Sequence, residues 1–115
     1  MANERSTNTL TSELQVEVFG EDLDGRQFVE HTRTLIIARE GATVPMMCKL
    51  APDSELMIRN LATNEEALAR VVGLLHDAIF FRVYGIVFID SSVNLWKVEF
   101  PDLRSKKTII MECIR

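Results

Sequence analysis

The sequence predicts a mostly-β domain, and three observations carry that prediction. Apolar residues alternate with period two through Leu14, Val16 and Val18, and again through Val44, Met46, Cys48 and Leu50, the pattern of strands with one buried face. Between these runs lies the longest strand-like stretch of the chain, Phe28 to Ala42, FVEHTRTLIIAREGA, which ends in a glycine. Turn-forming clusters, Gly20-Glu-Asp-Leu-Asp-Gly25 and Ala51-Pro52-Asp53-Ser54, separate the runs at short spacing.

A chain of 115 residues, 47% hydrophobic and 26% charged, has room for one domain with a modest core. Thirteen basic against seventeen acidic residues give a net charge of −4, so no general field draws it to nucleic acid. No run reaches the ~18 apolar residues of a membrane span, and the N-terminus lacks a signal-peptide core, so the chain reads as cytoplasmic. Cys48 and Cys113 fit neither a disulfide framework nor a four-ligand zinc site and are expected to be reduced.

Residues 1–12 are polar and read as a flexible lead-in; the domain proper is expected over 13–101. The first strand starts at Glu13. The segment from Gly20 to Gly25 is the natural joint of a hairpin into a long strand from Arg26 to about Ile37. On that strand neither face is uniformly apolar, since His31 and Arg33 share one with Val29, Leu35 and Ile37, so its middle is expected near an open barrel edge or covered only at its ends. Arg39-Glu40-Gly41 reads as a tight turn whose glycine supplies a backbone conformation that a β-carbon disfavours. The third strand carries Pro45, which lacks an amide donor and so belongs at an edge or bulge. A fourth strand follows from Glu55 to Leu61. Thr63-Asn-Glu-Glu66 has the form of a helix capping box, and Leu68, Val71, Val72, Leu75 and Ile79 recur at helical spacing, so local rules favour a helix to about Phe81. Trp96 and Phe100 close the core. The tail, 102–115, turns from basic to apolar and is expected to join a sheet edge.

Several of these stretches resemble the PilZ domain family. The run from Phe28 to Ala42 resembles its signature strand and turn, Ala69-Arg-Val-Val72 a barrel strand, Tyr84-Gly-Ile-Val-Phe88 the strand paired with it, and Trp96 with Phe100-Pro101 a feature of a subset of PilZ-like bacterial proteins. The resemblance spans roughly Phe28 to Pro101. It implies a small, partly open (split) β-barrel of about six strands. It also implies that the helical period after Thr63 is misleading, with two strands there joined by a loop near His76 to Phe81.

The family resemblance further implies a cyclic di-GMP site, built from an N-terminal Arg-x-x-x-Arg clamp and an Asp/Asn-x-Ser-x-x-Gly turn. Arginine's planar fork suits phosphate and stacks on a base. Here the clamp positions are Arg5 and Thr9, and the turn positions Ile36, Ala38 and Gly41, so only one arginine and the glycine match. Arg33 and Arg39 flank the turn as possible substitutes, although nothing pairs them at clamp spacing. The expectation is a PilZ-like signalling domain that acts mainly through protein contacts, self-association or a partner, with cyclic di-GMP weak or absent. The alternative is a genuine cyclic di-GMP receptor using non-standard arginines. Ile36, Ala38, Pro45 and Met47 are expected to form an apolar partner patch on the ligand face. No catalytic set and no metal set is predicted: His31 and His76 lack partners at ligand spacing, and the acids lie in polar turns. Trp96, Phe88 and Phe100 are read as core rather than as a base-stacking platform.

Overall fold

The computed structural model describes residues 9–90, 92–98 and 100. Arg5, Cys113 and the tail expected at a sheet edge lie outside the described residues. The chain forms one antiparallel sheet of eight strands, β1 (Thr9–Thr11), β2 (Gln15–Glu21), β3 (Gln27–Arg33), β4 (Ile36–Ala38), β5 (Gly41–Met46), β6 (Glu55–Asn60), β7 (Glu65–Asp77) and β8 (Arg82–Phe88). Their order is β1-β4-β5-β8-β7-β6-β2-β3, and the sheet is not closed.

Eight strands replace the six expected, for two reasons. Residues 9–11, assigned to the flexible lead-in, pair with β4 (Thr9 with Ala38, Thr11 with Ile36) and cover the free edge of that short strand. The long strand expected from Arg26 to Ile37 is broken at Thr34, where the chain leaves one neighbour for another. β3 pairs with β2, whereas β4 pairs with β5. Thr34 is fully buried and pins the corner: its hydroxyl donates to the Ser12 carbonyl at 2.6 Å and accepts from the Leu14 amide at 2.9 Å. Burial of Thr34 and Ile37, three residues apart, breaks the parity of a continuous strand.

The break lets β3 approach β5 without a ladder between them. Thr32 Oγ1 donates to the Pro45 carbonyl at 2.6 Å, and the Glu30 carboxylate accepts from the amides of Met47 (2.6 Å) and Cys48 (3.3 Å). In an extended strand the N and the C=O of one residue point the same way, so the nitrogen of Pro45 also faces this seam, where it has no proton to offer. Side chains bridge what backbone cannot. β3 stands last in the strand order, at a sheet edge, and its Val29 is 67% exposed on an uncovered face.

The stretch that looks helical is extended. Thr63 Oγ1 accepts from the Glu65 amide in a hairpin turn with Asn64 at φ 68°, and Glu66 reaches Arg59 on the neighbouring strand instead of back to Thr63. Ala67, Ala69 and Val71 point into the core at period two, while Leu68, Val72 and Leu75 point outward. Irregularities between Val71 and Gly73 and between Leu74 and His76 shift the register against β8, so apolar residues recur at apparently helical spacing although they lie on different faces. β7 and β8 are joined by residues 78–81, as the family resemblance implies.

The core lies in the concavity of the sheet, around Val16, Val18, Ile37, Val44, Met46 and Ile58. The segment after β8 covers it with Leu95, Trp96 and Phe100, and Asn60 Nδ2 ties that segment down by donating to the Leu95 carbonyl at 2.9 Å. The tilted Phe88 and Trp96 rings, 5.7 Å apart, are buried, so neither is open to a base.

Candidate functional site

The hairpin between β4 and β5 is a two-residue turn, Arg39-Glu40, closed by the Ala38–Gly41 pair. Three contacts hold it. The indole N–H of Trp96 donates to the carbonyls of Ala38 (3.0 Å) and Gly41 (3.2 Å), and the Phe88 amide donates to the Glu40 carbonyl at 2.7 Å. A buried tryptophan needs a partner for its N–H. The sequence reading saw Trp96 only as core and missed this staple.

Gly41 is required here, but not for the reason expected. Its φ is not in the left-handed region, which among the glycines is occupied by Gly25 (φ 83°). A β-carbon on Gly41 would instead lie 2.0 Å from the Ile86 carbonyl oxygen and 3.0 Å from Val87 Cα. The constraint is the close approach of β8.

Thr9, Ile36, Ala38 and Gly41, dispersed over the sequence, converge on one shallow depression of about 230 Å³ above this turn. Ile36 stands 41% exposed at its rim, and its amide donates to the Thr43 hydroxyl at 3.2 Å. Among the described residues, the charged side chain lining the depression is Glu40, and no arginine or lysine lines it. Arg39 is exposed in the turn itself, outside that lining. Arg33 is further away in function: it pairs with Glu13 at 2.8 Å and lines a separate depression with Glu30, His31, Pro45, Met47 and Phe81. The apolar patch expected from Ile36, Ala38, Pro45 and Met47 is therefore divided between two depressions, one towards each end of β5, and Pro45 is buried.

Elsewhere the polar groups are satisfied locally. On the outer face a cross-strand ladder runs from His31 to Glu17 (2.7 Å), Glu17 to Arg59 (3.2 Å) and Arg59 to Glu66, with the Arg59 guanidinium over the Phe19 ring. Burial, then the Glu30 carboxylate, pushes the Cys48 thiol up to about 12. That holds it protonated and unreactive. Among the described residues, no three His, Cys, Asp or Glu side chains are grouped to hold a metal ion, and no helix is long and apolar enough to cross a membrane.

No family model and no curated protein matches the sequence. Solved structures do. The Bacillus subtilis inhibitor of motility, MotI/DgrA, superposes with a TM-score of 0.58 at 12% identity, covering 88% of this chain and 50% of that one, so the chain spans half of its length. The PilZ domain of CeSA from a cellulose-synthesising bacterium matches with a TM-score of 0.46 at 20% identity, over 93% of this chain and 98% of that one. These two structural neighbours are PilZ-domain proteins, and at 12% identity what the chain shares with the inhibitor of motility is the fold alone.

Proposed function

We propose that this chain is a non-catalytic, PilZ-like binding domain of bacterial signalling that acts through protein contacts, with the frame of a cyclic di-GMP site but without the groups that grip the nucleotide. The supporting observation is the depression over the β4–β5 turn. Thr9, Ile36, Ala38 and Gly41 line it, and it offers Ile36 and Ala38 where the resemblance calls for an acid or amide and a serine, with the carboxylate of Glu40 beside them. A guanine edge seated there without partners loses about 1–3 kcal/mol per missing hydrogen bond. Of the two clamp positions, the one among the described residues is Thr9 and not an arginine, and Glu40 sets a carboxylate in the same depression.

Calorimetric titration with cyclic di-GMP at low salt tests this. The expected result is no binding tighter than about 100 µM, equivalent to about −5.5 kcal/mol. The triple variant Thr9→Arg, Ile36→Asp, Ala38→Ser should bind measurably more tightly, because the three positions line one depression and the changes restore groups that can bond to the nucleotide there. Micromolar binding by the unaltered chain would instead favour a receptor using Arg5, Arg33 or Arg39. No gain in the triple variant would sink the assignment of these positions.

A further inference from the structure

The two edges of the sheet are protected in ordinary ways. β1 is three residues long, and β3 carries Glu30, His31 and Arg33. The overhang of the β7–β8 hairpin is different. β6 pairs with β7 only as far as Arg70, and loop residues Asp53 and Ser54 bond Val71. Beyond that point β7 continues for six residues paired with β8 alone. Its surface is apolar: Val72 is 62% exposed, Leu74 49%, Leu75 61%, Ile79 86%, Phe80 80% and Phe81 40%. Leu74 shares a depression with Leu23 and Pro52, and Phe81 another with Pro45 and Met47, whereas Val72, Leu75, Ile79 and Phe80 line neither.

We propose that this hairpin end is a self-association surface, on which two copies of the chain pack hairpin against hairpin across a two-fold axis. Area supports a dimer. With full burial areas of about 150–250 Å² for an aromatic side chain, Val72, Leu75, Ile79 and Phe80 expose on the order of 500 Å², so a symmetric pair buries about 1,000 Å², the lower bound of a specific interface. Charge supports a second copy in particular. A two-fold contact brings each group near its own symmetry mate, so an unbalanced charge would repel itself. From Val72 to Arg82 the ionisable side chains are His76, Asp77 and Arg82; Asp77 and Arg82 pair at 3.6 Å, and the His76 ring lies against Phe81. The patch is neutralised within itself although the chain carries −4. Among the described residues from Val72 to Arg82, the basic side chains are His76 and Arg82, which make no basic ring to hold the hairpin to an anionic lipid surface. The register irregularities of β7 bend its edge, so the contact is made by side chains and does not extend the ladder.

This inference rests on the reading that the domain works through protein contacts, and its test is independent of the nucleotide titration. The full chain is followed by light scattering and sedimentation from micromolar to near-millimolar concentration. A concentration-dependent dimer is expected. The double variant Ile79→Asp, Phe80→Asp should weaken it at least about a hundredfold, because each change is present twice across the axis. Val29→Asp, an equally exposed apolar position on β3, should leave it unchanged. Both variants sit on exposed side chains, and an unchanged Trp96 emission and melting temperature confirm that loss of the dimer is not loss of fold. A monomer at every concentration, or a dimer weakened by Val29→Asp and not by the hairpin variant, overturns the proposal. So does a monomer whose hairpin variant loses co-sedimentation with anionic phosphatidylserine vesicles, which would make the tip a lipid contact.

Discussion

Replacing Gly41 by alanine sets two effects of opposite sign against each other. Where a glycine's backbone is accessible to any residue, Gly→Ala stabilises by about 0.4–1 kcal/mol, because the unfolded chain loses freedom. Gly41 meets that condition, since its φ is not left-handed. The structure nevertheless predicts strong destabilisation. The new methyl would stand 2.0 Å from Ile86 O and 3.0 Å from both Ile86 C and Val87 Cα, all backbone atoms that no rotamer change can move. β5 and β8 must separate, at about 1–3 kcal/mol for overpacking. Separation stretches the Gly41–Val87 pairing and the Phe88-to-Glu40 bond, at about 1 kcal/mol each. The net expectation is a loss of about 2–4 kcal/mol, a fall of roughly 10–20 °C in melting temperature for a domain of this size. Trp96 fluorescence should shift as well, because its indole bonds to Gly41 O. Gly73→Ala is the control: nothing lies within 4 Å of its β-carbon and its φ is not left-handed, so it should be neutral or raise stability by about 0.4–1 kcal/mol. Equal melting temperatures for the two variants would refute the reasoning.

Three further outcomes follow from the same geometry. Thr34→Val strips the corner of a hydroxyl with two backbone partners and should cost about 2–4 kcal/mol in denaturant unfolding, with faster amide exchange at Leu14, whose N–H loses its acceptor. Trp96→Phe keeps most of the packing but leaves the carbonyls of Ala38 and Gly41 without that donor; a loss of about 1–3 kcal/mol is expected, with loosening of the β4–β5 turn seen in exchange data. Cys48, its thiol raised from 9.0 to about 12 by burial and Glu30, should resist alkylation at pH 8 until the chain is unfolded, as followed by mass mapping of its peptide. By linkage, its contribution to stability is complete below pH 9 and is lost as pH rises towards 12, because only the unfolded chain releases the proton in that window.

What the sequence determined by itself is local. Period-two alternation placed β2 and β6, and the glycine and aspartate cluster before Arg26 placed the first hairpin, where Asp22 Oδ1 accepts from the amides of Asp24 and Arg26. Mixed faces on the strand through His31 correctly marked an edge. Resemblance to known strands overrode the helical period after Thr63. Periodicity alone could not do so, because it cannot register a bulge that depends on the strand alongside. The tertiary structure decided what depends on partners distant in sequence. Thr34 is unremarkable in its own segment and becomes a corner only when Ser12 and Leu14 arrive. Gly41 looks like a turn glycine until Ile86 is laid against it. Trp96 reaches back across the fold to staple that same turn. The convergence of Thr9, Ile36 and Ala38 comes from a short strand, β1, that exists because β4 leaves an edge for it to pair with. Hydrophobic patterning reports which face of a strand is buried, but the neighbour a strand chooses is set by hydrogen bonds and close contacts that form only once the sheet is assembled.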